Sequence, residues 1–247
     1  MYFTQFQRNR LKLDLELRDS VLRKYFSPAL LCLDRALIPR LRNHASGKLL
    51  DAGCGAMPFK AALTNLVDEY HSIDIERKVP EVDFVGDLQD MKGVADESYD
   101  VILCTEVLEH VPQPEKLIAE VWRVLKSRGK FILSVPHLSR LHDEPFDYYR
   151  FTKHGLQFLL EQNGFSVLEI VPTGSLFSLL GHQVSTALVG STWHIPVLGR
   201  LVFFLNAALC TLPCYALDRL LPISGKCPLG YVAVAEKSNA ITVRKYL

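Results

Sequence analysis

The sequence predicts an α/β fold, a mostly parallel sheet with helices on both faces. Three observations carry this. Strand-like and helix-like segments alternate from Lys48 to Val135, the pattern of strands joined by crossover helices. The turn Asp51-Ala52-Gly53-Cys54-Gly55 follows directly on Leu49-Leu50, so the backbone can reverse tightly at the end of a short buried strand. Asp51, Asp74, Asp87, Glu106 to His110 and His137 close successive strand-like segments. In sheets of this type ligands bind beyond the carboxyl ends of the strands.

Residues 5–43 come first. Leu11, Leu13, Leu15, Leu17, Val21 and Leu22 alternate in a way that fits strand or helix, whereas Leu30, Leu31, Leu33, Leu37 and Leu41 have helical spacing. Strands are expected near 48–52, 70–75, 82–86, 99–104 and 130–135, with a helix able to start at Pro58 after the glycine turn. Between the last two strands, Leu117, Ile118, Val121, Trp122 and Leu125 give the 114–126 segment a helical stripe, with Gly129 as its stop signal. A further helix runs from Thr152 to Gly164, and Ser166 to Val171 reads as a sixth strand.

With 247 residues, 49% of them apolar, the chain can bury a full core as one large domain or one domain with an elaboration. Basic and acidic residues nearly cancel, 28 against 27, which argues against nucleic acid as a partner and favours a small substrate. The six cysteines (Cys32, Cys54, Cys104, Cys210, Cys214, Cys227) show no C-x-x-C pair, and the first residues are too polar for a secretory signal. Reduced thiols in a cytoplasmic protein are therefore expected, with Cys210 and Cys214 as packing residues.

The chemistry of the glycine turn is selective. Asp51 beside it would repel a pyrophosphate and suit a ligand carrying positive charge. Met57 stands where a dinucleotide fingerprint needs its third glycine, which speaks against NAD. Asp74 ends the next strand at about the spacing of a ribose-binding acid, some 20 residues on.

The Asp51 to Gly55 loop, Asp74, Gly86-Asp87-Leu88, Tyr99-Asp100-Val101, Leu108-Glu109-His110-Val111, Arg123-Val124-Leu125-Lys126 and Gly164-Phe165 together resemble the class I S-adenosylmethionine-dependent methyltransferases. The resemblance is to the small-molecule, methyltransferase type 11-like group with a Leu-Glu-His signature, over most of residues 45–171. It implies a Rossmann-like, doubly wound, mostly parallel seven-stranded sheet, with Tyr231 to Glu236 as the seventh strand and an apolar helical insertion between strands six and seven. The implied organisation is an N-terminal helical segment (1–44), a cofactor-binding core (45–171), the insertion (172–229), and a final strand with a tail (230–247). The segment before the first strand is then either a packed helix pair or a lid.

By the same resemblance the cofactor is S-adenosylmethionine, held by Asp51, Ala52, Gly53, Cys54, Gly55, Asp74, Ile75, Asp87, Leu88, Thr105 and Glu106. The backbone around Gly53 and Gly55 would meet its methionine part, Asp74 its ribose hydroxyls, and Asp87 with Leu88 its adenine. The sulfonium is already an activated methyl donor, so the protein has chiefly to align a nucleophile and exclude water. A hydroxyl acceptor also needs its proton removed. His110 is the first candidate base, then His137 and His142. Tyr148, Tyr149 and Arg150 form a candidate substrate wall; equally, Thr152 can cap the following helix with Arg150 paired to a carboxylate. Glu106, Glu109 and His110 form an E-x-x-E-H set able to ligate a divalent metal, but the same letters occur in metal-free relatives and no metal is assigned.

The insertion is strongly apolar, and from Leu201 to Leu217 carries no charge. Asn206 and Pro213 would interrupt a helix there, and the run is at the lower edge of a spanning length of roughly 17–25 residues. Three readings stay open: helices on a membrane surface or lipid-like substrate, a cap over the site, or a membrane span. The function expected is methyl transfer to an oxygen of a small or lipid-linked acceptor, in a cytoplasmic protein peripheral to a membrane. The alternative is a catalytically idle cofactor-binding protein that acts through its insertion.

Overall fold

Leu49 and Leu50 are fully buried, as are Ile102 and Leu103 on the neighbouring strand, because a parallel sheet is covered on both faces. Each such side chain contributes about 1.5–3 kcal/mol of burial free energy. The computed structural model describes residues 5–17, 20, 22–221 and 226–238. Val21, the side chain of Leu11, residues 222–225 of the insertion and the tail 239–247 lie outside the described residues.

The seven strands are β1 (Lys48–Ala52), β2 (Glu69–Asp74), β3 (Phe84–Val85), β4 (Tyr99–Thr105), β5 (Leu125–Pro136), β6 (Phe165–Thr173) and β7 (Gly230–Lys237), in the order β3-β2-β1-β4-β5-β7-β6. β1 pairs in parallel with β2 and β4, β2 with β3, and β4 with β5. Opposing residues are Asp51 and Ser72, Asp51 and Leu103, Asp74 and Val85, and Thr105 and Ser134. This register brings the carboxyl ends of the central strands to one edge. Asp100 fixes the opposite edge, accepting from the Lys48 backbone N–H and from Lys126 Nζ, each at 2.9 Å.

Two compact units divide the chain. One gathers the described residues of Leu37–His137, Glu144–Val171 and Tyr231–Leu247; the other those of Met1–Ala36, Leu138–Asp143 and Pro172–Gly230. In the sheet unit, α4 (Pro114–Val124) buries Leu117, Ile118, Val121 and Val124 against the core, and α5 (Lys153–Gln162) follows the Thr152 cap.

Two expectations need correction here. The helix after the glycine turn, α3, covers only Lys60–Leu63 and starts at Lys60 rather than Pro58. Met57 sits at φ 55° and donates its N–H to Cys54 O at 2.7 Å, so the chain is still turning there. Gly129 does not end α4: β5 begins at Leu125, and Gly129 lies inside it, beside Arg128 at φ 63° and a register shift opposite Tyr99 and Val101. The glycine serves a bulge.

The second unit is helical. Its elements are α1 (Gln5–Leu17), a 3-10 turn (Arg23–Tyr25), the start of α2 (Pro28–His44), α6 (Leu176–Thr192), α7 (Pro196–Asn206) and α8 (Leu212–Leu220). The alternating leucines from Leu11 to Leu17 are thus helical, whereas Leu22 lies in the turn that follows. Leu13, Phe26, Val189, Trp193 and Phe203 form its apolar centre, and Asp218 caps α6, accepting from the N–H groups of Ser175, Phe177 and Ser178 at 2.8–3.0 Å.

Asn206 and Pro213 do not interrupt the helix: Pro196–Leu220 runs unbroken for 25 residues. A wide π turn at Ala207–Thr211 lies just before Pro213, where the missing N–H and the ring would otherwise disrupt an α-helical turn. Asn206 is buried, its amide donating to Phe26 O at 2.9 Å.

Thr152 Oγ1 accepts from Gly155 N–H at 3.0 Å. Thr152→Ala should lower the free energy of urea unfolding by about 1 kcal/mol; an unchanged midpoint would show that the cap contributes nothing.

Candidate cofactor and catalytic site

The end of β1 is built around two glycines in the left-handed region, Gly53 at φ 77° and Gly55 at φ 54°. Gly53 donates its N–H to Ile73 O at 2.8 Å, and a Cβ on it would lie 2.4 Å from a methyl of Val107. Gly55 differs: no atom lies within 4 Å of its Cβ position. Its N–H is held by Asp74 Oδ2 at 2.8 Å. The loop thus presents backbone, backed by a carboxylate, to open space.

Asp51 and Asp74 part company in the structure. Asp51 is buried within the β1–β2 pair, where Tyr70 Oη donates to its Oδ2 at 2.6 Å. Burial pushes its carboxyl up to about 7, opposed by the Tyr70 hydrogen bond and reinforced by the charge of Asp74. Ala52 and Cys54 are buried beside it. Asp74 stands at the end of β2, and the next residue, Ile75, is 71% exposed. After β3, Asp87 is exposed, with Gln89 donating to its carboxylate through backbone N–H (2.9 Å) and side-chain amide (3.2 Å), while Leu88 is buried in the core.

At the end of β4, Thr105 is half-buried and Glu106 takes φ 53°. Ser134 Oγ donates to Glu106 Oε1 at 2.8 Å, and the Glu106 N–H returns to Ser134 O at 3.0 Å. A 3-10 turn, Leu108–His110, follows. Glu109 is fully buried, and burial raises its carboxyl to about 7, with His110 and Arg150 pulling it down and Asp147 pushing it up. His110 Nδ1 lies 2.6 Å from Phe146 O. A carbonyl oxygen only accepts, so Nδ1 carries the proton, and Nε2, 3.6 Å from Glu109 Oε1, keeps the lone pair in the neutral ring.

The segment 146–151 runs alongside this turn, because the N–H groups of Tyr148 and Tyr149 donate to Glu109 O at 2.9 and 3.3 Å. Tyr149 Oη donates to Pro112 O at 2.9 Å, and Arg150 makes a two-pronged pair with Asp147 at 2.6 and 2.7 Å. Tyr148 is 44% exposed. His137 follows β5 with its ring against Tyr231, centroids 5.5 Å apart. His142 belongs to the other unit, where its Nδ1 lies 3.4 Å from Arg140 O.

Sequence reasoning missed Tyr70, Ser134, Val107 and the Phe146 carbonyl. Each acts through strand register or a close approach of distant segments, for which the sequence has no local signal.

Residues 50–133 match the family model described as a methyltransferase domain. The ubiquinone biosynthesis O-methyltransferase of Xanthomonas oryzae pv. oryzae (strain PXO99A) is 30% identical over 103 residues, 36% of this chain and 43% of that protein. The chain therefore spans less than half the length of the curated relatives it matches. Among solved structures, an S-adenosylmethionine-dependent methyltransferase from Archaeoglobus fulgidus aligns with TM-score 0.54 at 18% identity, over 85% of this chain and 95% of that one. The (4+2)-cyclase SpnF aligns with TM-score 0.52 at 17% identity, over 84% and 78%; these two likenesses show the fold.

Sheet order and glycine loop follow the fold of these solved structures, and the family match over residues 50–133 runs from β1 to β5. The matched model is that of the type 11 methyltransferase domain, a domain whose cofactor is S-adenosylmethionine.

The two buried carboxyls set a pH dependence. Folding raises Asp51 from 3.8 and Glu109 from 4.5, each to about 7, so across that interval the native chain binds protons that the unfolded chain releases. Their contribution to stability therefore falls as pH rises from about 4 to about 7. Urea unfolding at pH 5 and pH 8 should show a smaller loss for Asp51→Asn than for the wild-type chain; equal losses would refute the assignment.

Proposed function

We propose that the chain transfers a methyl group from S-adenosylmethionine to an oxygen of a small or lipid-linked acceptor. One observation carries the reading: Gly55 offers unobstructed backbone beside Asp74, at the row of strand ends that also holds Glu106 and His110. The residues fit the cofactor's chemistry. A buried acid and a second carboxylate favour a cationic ligand over a pyrophosphate, Asp74 offers a carboxylate to ribose hydroxyls, and exposed Ile75 offers an apolar face to an adenine ring. Asp51 acts from within the β1–β2 pair, leaving direct contact to the Gly53–Gly55 backbone.

When bound, the cofactor supplies a methyl on a sulfonium, already activated for displacement. The chain's own task is to position the acceptor and take its proton. His110 suits the second role: Phe146 O fixes its tautomer and orientation, Nε2 is the accepting nitrogen, and Glu109 at 3.6 Å can stabilise the imidazolium once formed. His137, which follows β5 in the same unit, is the next candidate. Tyr148 and Phe146, both exposed, suit the acceptor's ring or chain, whereas Arg150 positions its loop through Asp147. The curated relative is named for ubiquinone biosynthesis, which favours a phenolic hydroxyl on a molecule with an apolar chain.

Calorimetric titration with S-adenosylhomocysteine should give one saturable site. Asp74→Ala should weaken it about tenfold or more, the loss of a charge-assisted hydrogen bond. No binding by well-folded protein would end this reading and favour an interaction protein.

With an alkylated phenol as acceptor, His110→Gln should lower kcat about a hundredfold while leaving S-adenosylhomocysteine affinity unchanged. An unaltered kcat would remove His110 as the base.

A further inference from the structure

Around the apolar centre of the helical unit, α6 and the helix Pro196–Leu220 turn mostly small and polar residues inward and branched apolar ones outward. Along α6 the buried positions are Ser178, Gly181, His182, Ser185, Thr186, Val189 and Gly190, whereas Leu180, Val184 and Leu188 face outward. The helix Pro196–Leu220 repeats the arrangement: Gly199, Phe203, Asn206 and Thr211 are buried, and Val197, Leu201, Leu205 and Leu209 are exposed, Val197 by 82% and Leu209 by 75%. Both exposed sets recur at every fourth residue, so each forms one continuous stripe.

The polar interior is hydrogen-bonded. Asn9 donates to Gly190 O at 2.7 Å, Asn206 to Phe26 O at 2.9 Å, Thr211 to Tyr25 O at 3.2 Å and Cys210 to Gly181 O at 3.4 Å. Small residues let the helices approach: a Cβ on Gly181 would lie 2.5 Å from Cys214 Sγ, and one on Gly199 2.9 Å from Thr192 O.

In water the hydrophobic effect would turn the leucine stripes inward and the serines outward. Small residues and hydrogen-bonded polar groups inside, with branched apolar residues outside, are what helices adopt when their surroundings are as apolar as leucine. From Pro172 to Leu217 the only charged side chain is Arg200, so no carboxylate within that stretch opposes transfer out of water. The helix Pro196–Leu220, at 1.5 Å per residue, is about 37 Å long, enough to reach through a hydrocarbon layer of about 30 Å. The segment leaves the sheet from β6 and rejoins it at β7, its neighbour, which makes a hairpin of it.

From these features we infer that the α6–α8 hairpin is seated in the hydrocarbon of a lipid bilayer, its two leucine stripes facing the acyl chains. The inference is independent of the proposed reaction, because it uses no residue of the candidate site. A second copy of the chain is a weaker fit: covering these stripes by self-association in water leaves unexplained why the buried faces hold serine, threonine, asparagine and histidine.

The test is flotation of the full chain with phosphatidylcholine vesicles, in low salt and in 1 M NaCl. The wild-type protein should float in both, since apolar insertion is not screened by salt. Leu201→Glu and Leu205→Glu, at exposed positions, should each lower the floated fraction about tenfold or more while leaving S-adenosylhomocysteine binding intact. Leu209→Trp supplies a second readout, quenching of its fluorescence by brominated acyl chains. Three results would overturn the inference: protein left at the bottom of the gradient, flotation lost in 1 M NaCl, or a salt-resistant dimer that the same substitutions split and that does not float. Failure to bind S-adenosylhomocysteine by floating protein would count against the proposed reaction alone.

Discussion

The sheet unit depends on the close approach at Gly53. Its N–H is fixed to Ile73 O at 2.8 Å, its φ is 77°, and a Val107 methyl sits 2.4 Å from where a side chain would begin. One residue thereby ties the end of β1 to β2 on one side and to the turn after β4 on the other. Gly55 can then present its N–H to Asp74, and the end of β4 can bring Glu106 to Ser134. Any other residue would meet both a steric clash and an unfavourable backbone conformation, so the geometry of the loop and the packing of the sheet are a single constraint.

Charge in the sheet unit is sorted by partner and burial. Glu120, two-pronged to Arg123 at 2.9 and 2.8 Å, is held below the usual carboxylate range by that guanidinium, against a smaller effect of burial. For Asp51 and Glu109 burial is the largest influence and pushes both upward. The same residue type thus serves as a fixed anion beside Arg123 and as a readily protonated group within the sheet. A ligand site gains from this division, because a carboxyl near neutrality adjusts its charge to that of a ligand and to the protonation of a neighbouring imidazole.

The helical unit follows different rules. Its cohesion rests on small residues and hydrogen-bonded polar groups around an apolar centre of Leu13, Phe26, Val189, Trp193 and Phe203, and its outward leucines stay outside that core. The π turn before Pro213 lets one helix continue for 25 residues and keeps the Val197 to Leu209 stripe on a single face. Asp218 binds the far end of that helix to the start of α6 through three backbone N–H groups, so the hairpin is closed by a cap as well as by packing.

Much of this was legible in the residues. Apolar runs bounded by glycine and acidic residues located six strands and the family resemblance the seventh, the spacing from Leu117 to Leu125 located α4, and the Asp51 to Gly55 turn and Leu-Glu-His step marked the candidate site. Those signals are local, because secondary-structure periodicity and left-handed turns are properties of short segments. The end of the glycine turn, the bulge at Gly129 and the passage of a helix through Pro213 were not, since each depends on how a neighbouring strand or turn takes up the geometry. Nor could the sequence say which acids would be sealed and which exposed, that Tyr70 would meet Asp51, or that Phe146 would fix the His110 tautomer. The sequence by itself determined the elements, their order and the residues with chemistry to offer. Only the tertiary structure decided their partners, burial and protonation, because those are set by segments far apart in the chain that meet only when the sheet and the helices are packed.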